Sequence, residues 1–417
     1  MKIMEIEGGK ELKGTIRISG AKNAIVALIP AAILTDEEAT ICNVPEITDT
    51  DALCDILELL NVKVKRASES IIIDPKEMKN TLIGEEHAKK LRASYYFMGA
   101  LLGKFHKAEL YFPGGCSIGA RPIDLHLKGF EALGATVKNE GSKYIVEAEE
   151  LKGANIYLDF ASVGATINIM LAAVRAKGIT EIDNAAKEPE IVNVATFLNN
   201  MGAKITGAGT STIKIEGVDS LHQCFHEVIP DRVEAGTYIM IGALCGKKLK
   251  VDNVIPGHID ALLSKLEEMG VDLEVGTDYV VLSRGDHYKA TNVKTAVYPG
   301  FATDLQQVFT VLLTQAEGKS KLTETIYENR FMHIPYLRAL GADITVKNQT
   351  ATIIGPTKLK GTEVVATDLR AGATMVAAGL TATGKTTITN VEHILRGYEQ
   401  IVEKLTSVGA KISIKEV

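Results

Sequence analysis

Leu133-Gly134-Ala135 closes an amphipathic stretch, and five further copies of that phrase occur along the chain. They are Leu60-Asn61-Val62, Met201-Gly202-Ala203, Met269-Gly270-Val271, Leu340-Gly341-Ala342 and Val408-Gly409-Ala410, spaced 68 to 73 residues apart. A fixed period sets an architecture before any single residue is interpreted. This period is too long for a tetratricopeptide, ankyrin or leucine-rich array, and it fits one small α/β unit used six times. Glycine after the last apolar residue suits a helix C-terminus.

Working outward from each stop, every unit follows one grammar. A polar loop opens it, as in Gly20-Ala21-Lys22-Asn23 or Asp368-Leu369-Arg370-Ala371. An apolar helix of about three turns follows, then a short strand such as Ala39 to Val44 and a second, amphipathic helix. Ile123 to Leu133 is such a helix, with Leu125, Phe130 and Leu133 on one face. After the stop comes a hairpin of alternating residues, as in Ala342 to Val346 with Ala351 to Ile354. The last unit ends at Ile412-Ser413-Ile414 with one arm of its hairpin, and Met1 to Ile6 has the pattern of the missing arm. The expected fold is α/β: six βαβαββ-like units, three per domain, apolar helices inside and sheets outside. The expected domains are 22–229 and 1–21 plus 230–417, with the boundary near Leu221 to Pro230 and a ligand cleft between them.

With 417 residues, roughly two or three domains is the length prior. The 46% apolar and 24% charged residues are those of a globular protein. Ile25 to Leu34 is broken by Pro30 and is too short for a membrane span. Met1 to Glu7 alternates like a strand and has no apolar h-region, so a signal peptide is not expected. The five cysteines are scattered without metal spacing, which suggests reduced thiols in a cytoplasm. A net charge of −6 argues against a nucleic-acid binder, yet allows a local cationic pocket.

Two motifs invite over-reading. Gly379-Leu380-Thr381-Ala382-Thr383-Gly384-Lys385-Thr386 matches the Walker A pattern, but a phosphate loop needs a strand before it and a helix after it. Here the order is helix, turn, strand. His222-Gln223-Cys224-Phe225-His226 lacks a second ligand pair and reads as a linker.

The loops before the apolar helices are more informative. Lys22, Arg92 and Arg370 occupy equivalent slots there. A cation at a helix N-terminus opposes the dipole by about 0.3–1 kcal/mol unless something negative sits beside it. Ser162-Val163-Gly164 offers a hydroxyl and backbone amides, which suit a phosphate. Pro113-Gly114-Gly115-Cys116-Ser117-Ile118-Gly119-Ala120-Arg121-Pro122 reads as a loop that hugs a ligand and carries a thiol.

Taken together, these stretches resemble the enolpyruvyl transferases. The resemblance runs from Lys22-Asn23 through the Gly-Gly-Cys loop, Ser162 to Thr166, Pro230-Asp231-Arg232 and Glu328-Asn329-Arg330-Phe331 to Arg396-Gly397-Tyr398-Glu399. It implies a two-domain inside-out α/β barrel and transfer of enolpyruvyl from phosphoenolpyruvate to the 3′-hydroxyl of UDP-N-acetylglucosamine. Phosphate leaves by addition and elimination, with no metal or organic cofactor. Neither nucleic acid, membrane nor an obligate protein partner is expected. By the same resemblance, Lys22, Arg121 and Arg396 bind the phosphate of phosphoenolpyruvate, and Arg370 with Arg396 holds its carboxylate. Cys116 is the acid that protonates carbon 3, and Asp304 the base for the sugar hydroxyl. Asn23, Arg92, Arg121, Pro122, Ile123, Asp124, Leu125, Ser162, Val163, Gly164 and Ile326 contact the UDP-sugar.

One departure stands out. Some members carry a basic residue where this chain has Phe160, so one contact to the diphosphate is absent. Two alternatives remain: the branch that uses shikimate 3-phosphate, and a non-catalytic paralogue that only binds UDP-sugar.

Overall fold

The computed structural model describes residues 2–111 and 122–416. All six phrases end helices, and all six do so by the same hydrogen bonds. Asn61, Gly134, Gly202, Gly270, Gly341 and Gly409 have φ between 58° and 104°. In each case that residue's amide donates to the carbonyl three residues back, and the next amide reaches five back. Gly134 N to Glu131 O is 2.9 Å and Ala135 N to Phe130 O is 3.0 Å. This is the Schellman closure, which satisfies carbonyls the helix leaves orphaned. Asn61 enters the same conformation because its short polar side chain tolerates it.

Six apolar helices form the interior: α1 (Lys22–Ala32), α2 (Tyr96–Phe105), α3 (Val163–Ala173), α4 (Arg232–Cys245), α5 (Thr303–Leu313) and α6 (Leu369–Thr381). They are buried nearly all round; from Val233 to Cys245 every residue of α4 is inside. A helix apolar on every side needs a complete coat. Each unit supplies a small sheet for it, and the described residues form six sheets of three to five strands. Their strands alternate, as Ile179–Asp183 does with Thr180 and Ile182 inward, so one face packs on the helices and the other meets water.

The chain divides into two compact units. Among the described residues, one contains 20–111 and 122–229; the other joins 2–19 to 230–416. Each has its own apolar core. In the first, α2 packs against α1 and α3, and Gly99 lets α2 approach Asn168 so closely that a Cβ would lie 2.3 Å from its oxygens. In the second, α4, α5 and α6 all touch one another.

Sheets at the ends of the repeat are completed by distant segments. Lys2–Glu7 lies between Lys385–Thr389 and Lys411–Glu416, antiparallel to both, and thereby supplies the missing arm. Leu12–Arg17 runs parallel to Gly246–Asp252, and Cys224–Glu227 runs parallel to Ala39–Cys42. The segment expected to be a linker at His222 to His226 is therefore largely a strand. His226 is buried within it and hydrogen-bonded to Asn193 (3.0 Å) and Asn200 (3.2 Å). The Walker-like stretch is the end of α6, a turn with Gly384 at φ 87°, and the strand Lys385–Thr389. No helix among the described residues is long and apolar enough to cross a membrane.

Candidate active site

In the unit that contains residues 230–417, the first turns of α5 and α6 face each other through charge. Asp304, second residue of α5, is the meeting point. Its Oδ1 is 2.5 Å from an Arg330 guanidinium nitrogen and its Oδ2 is 3.3 Å from Arg370. Both arginines are almost wholly buried, at 3% and 4% exposure, while the Asp304 side chain keeps 28%, so the guanidiniums are out of water and the carboxylate stays reachable. Asp368 caps α6 by accepting from the amides of Arg370 (2.8 Å) and Ala371 (3.0 Å), which fixes where the Arg370 side chain departs.

Tyr398 backs Arg370. The guanidinium donates to its hydroxyl at 3.2 Å, and Thr237 of α4 lies 2.8 Å from the same oxygen. Thr237 spends its own proton on the Val233 carbonyl, so Tyr398 donates to Thr237 and accepts from Arg370. Burial disfavours the charge on Arg370, yet Tyr398, Asp304 and Asp231 together hold its proton affinity above the ordinary arginine value. Burial pushes the Tyr398 phenol up, with Arg370 opposing. Arg370 is thus a permanent cation. Arg396, two residues before Tyr398, ends the short helix Glu392–Leu395.

Buried Glu324 ties the start of α5 to the segment that carries Ile326. Its carboxylate accepts from Thr303 (2.8 Å), Thr295 (2.9 Å) and the Ile326 amide (2.7 Å). Arg330, Tyr398 and Glu324 received no role from sequence. Two lie inside stretches quoted for the resemblance, but only packing reveals what they hold.

The other unit gathers a second set at its helix starts. Lys22 opens α1 and its ammonium is 3.0 Å from Asp49, which is buried at the start of the helix Thr48–Leu59. The carboxylate answers part of the unfavourable dipole contact. Asn23 follows Lys22. Arg92 begins the tight turn Arg92–Tyr95 before α2, and that turn packs on α1.

Three segments converge at the start of α3. A Cβ on Gly164 would lie 3.0 Å from both the Tyr95 hydroxyl and the His126 ring, so a side chain there would crowd them. Asn168 arranges the group: its oxygen accepts from the Gly99 amide (2.8 Å), which turns its NH₂ toward Tyr95 O and His126 Nδ1, each at 2.9 Å. His126 Nδ1 therefore accepts, and Nε2 carries the proton. Ser162 caps α3 by accepting from the Ala165 amide at 3.2 Å, so part of its hydroxyl's capacity is already used. Pro122 and Asp124 are exposed, Leu125 half-buried and Ile123 buried in the core, which leaves Ile123 only its backbone for a ligand. Phe160 is 49% exposed. Cys116 and Arg121 lie outside the described residues.

Residues 6–405 match the family described as EPSP synthase (3-phosphoshikimate 1-carboxyvinyltransferase). The chain is 55% identical over 408 residues to the UDP-N-acetylglucosamine 1-carboxyvinyltransferase 2 of Listeria monocytogenes serovar 1/2a, covering 98% of this chain and 96% of the relative. It is 56% identical over 409 residues to the protein of that name from Geobacillus kaustophilus, with the same coverage. The chain belongs to the EPSP synthase family of enolpyruvyl transferases. Among solved enolpyruvyl transferases, NikO from Streptomyces tendae matches with a TM-score of 0.91 and 27% identity, covering 100% of this chain and 99% of that one. EPSP synthase from Acinetobacter baumannii matches with 0.78 over the whole of both chains; at 19% identity this likeness shows the fold alone.

Proposed function

We propose that this enolpyruvyl transferase moves the enolpyruvyl group of phosphoenolpyruvate to the 3′-hydroxyl of UDP-N-acetylglucosamine, the first committed step of peptidoglycan synthesis, in the cytoplasm. The observation that carries the acceptor is the 55–56% identity, over nearly the whole chain, to relatives named for that nucleotide sugar. Lys22, Arg121, Arg370 and Arg396 hold the phosphate and carboxylate of phosphoenolpyruvate. Charge-assisted hydrogen bonds contribute about 1.5–3 kcal/mol each, enough in combination to hold so compact an anion.

In the addition step the sugar oxygen bonds to carbon 2, carbon 3 takes a proton from the Cys116 thiol, and the hydroxyl proton passes to Asp304. In the elimination step carbon 3 gives up a proton and phosphate leaves. A carboxylate between two guanidiniums holds a hydroxyl in place and passes its proton on; it is a poor place to store one. Asn23, Arg92, Arg121 to Leu125, Ser162 to Gly164 and Ile326 receive the UDP-sugar. With Phe160 in place of a base, Arg92, Arg121 and the α3 amides carry the diphosphate.

Incubation with both substrates, followed by mass analysis of the nucleotide sugar, separates an enzyme from a silent binder. An enolpyruvyl ether is expected. Calorimetric binding of UDP-N-acetylglucosamine with no new product would overturn the catalytic assignment.

A further inference from the structure

Ser19, Glu234, Glu399 and Lys404 form a closed ring of hydrogen bonds and charge in the unit that holds Asp304. Ser19 follows the strand Leu12–Arg17, Glu234 is in the first turn of α4, and Lys404 is on the helix Ile401–Ser407. The Lys404 ammonium donates to Ser19 Oγ at 2.5 Å and to Glu234 Oε1 at 2.7 Å, and lies 3.7 Å from Glu399. Ser19 Oγ in turn donates to Glu399, and its amide donates to Glu234 Oε2 at 2.8 Å. Two of the three ammonium hydrogens are thus hydrogen-bonded, the charge also faces Glu399, and each Glu234 oxygen accepts one bond, so Lys404 and Glu234 are committed to each other and to Ser19.

Such a ring is a costly way to gain stability. Taking charges out of water is repaid only when geometry is good, and apolar packing commonly does as well. What the ring supplies is fixed position. Glu399 lies three residues beyond Arg396, and Tyr398 between them is pinned by Thr237 and Arg370. Glu234 and Thr237 are one turn apart on α4, so a single buried helix face anchors the segment at Tyr398, two residues beyond Arg396, and again at Lys404. Burial raises Glu234 to about 7, with Lys404 opposing, so this carboxyl is sensitive to the loss of its ammonium.

We propose that Lys404, with Ser19, Glu234 and Glu399, is a positioning clasp that holds the Arg396 turn in register with Arg370 for phosphoenolpyruvate. This rests on the assignment of Arg396 and Arg370 to that substrate. The clasp touches no substrate, so its signature is selective.

Lys404→Met keeps the stem and removes the charge. The expected result is a KM for phosphoenolpyruvate raised about tenfold or more, the loss expected of a misplaced charge-assisted contact. The KM for UDP-N-acetylglucosamine should stay within about twofold, because its proposed contacts lie mainly on other elements. Ser19→Ala, which removes the hydroxyl bridging Lys404 and Glu399 with little change in volume, should shift the same constant in the same direction. If Lys404→Met does not fold, Ser19→Ala alone decides. A lowered melting temperature with an unchanged KM for phosphoenolpyruvate would overturn the clasp and leave a merely structural ring. Wild-type protein that releases no phosphate with UDP-N-acetylglucosamine would instead overturn the function on which the clasp rests.

Discussion

Asp304 was assigned from sequence as a base, and the structure adds the two buried guanidiniums that frame it. Asp304→Asn keeps the shape and removes the charge. Turnover is expected to fall roughly 10²–10⁴-fold, the span of a lost general base, with UDP-sugar binding retained. Steady-state kinetics at saturating substrate would check it; near-normal turnover would remove Asp304 from the proton path. The thiols make a second residue-scale test. Burial pushes Cys54, Cys224 and Cys245 up to about 11 and raises Cys42, so all four are protonated at neutral pH. An epoxide phosphonate such as fosfomycin, a mimic of phosphoenolpyruvate, should alkylate Cys116, which the proposed site sets beside that ligand, and leave these four unmodified. Peptide mass spectrometry should find one adduct that Cys116→Ser abolishes. At this scale the sequence was only partly legible. Lys22, Arg92 and Arg370 announced themselves by their place at helix starts and Asp304 through the family resemblance, whereas Arg330, Tyr398 and Glu324 act largely through contacts with residues 21 or more positions away.

Among the elements, the helix stop is the most legible feature, because its left-handed residue demands glycine or asparagine. Gly270 offers the cleanest measure of that demand. Its φ is 80° and a Cβ there would meet nothing within 4 Å, so Gly270→Ala tests backbone conformation without a clash. A loss of about 1–2 kcal/mol is expected by urea denaturation. No loss would mean that the stop does not depend on glycine. Element register was legible for the same local reason: alternation marks a strand wherever one face is buried. Cys224–Glu227 escaped because its Cys-Phe-His-Glu stretch interrupts that pattern, with Phe225 68% exposed and His226 inside. Only its partner, Ala39–Cys42, reveals it as a strand.

For the molecule as a whole, the period of the stops and the truncated last hairpin implied that the first residues complete a sheet of the last unit, and Lys2–Glu7 does so. What no period encodes is the set of polar groups sealed inside the two units. Burial pushes His226 down to about 4; burial and the nearby Arg330 push His333 down to about 3, against an ordinary value of 6.5. The unfolded chain therefore binds more protons than the folded one in this range. Stability present above pH 6.5 is lost as pH falls through about 4 and then 3. Glu234, raised to about 7, works in the opposite sense, contributing most below about 4.5 and less as pH climbs to 7. The two histidines outweigh it on acidification, so the melting temperature should drop between pH 6.5 and 4. His333→Asn should flatten the acid limb, and an unchanged limb would exclude His333 as a cause.

Phosphate release from phosphoenolpyruvate, measured with UDP-N-acetylglucosamine and separately with shikimate 3-phosphate, tests the central claim most directly. Release that depends on the nucleotide sugar and is absent with shikimate 3-phosphate is the predicted result. Release with shikimate 3-phosphate alone would contradict it.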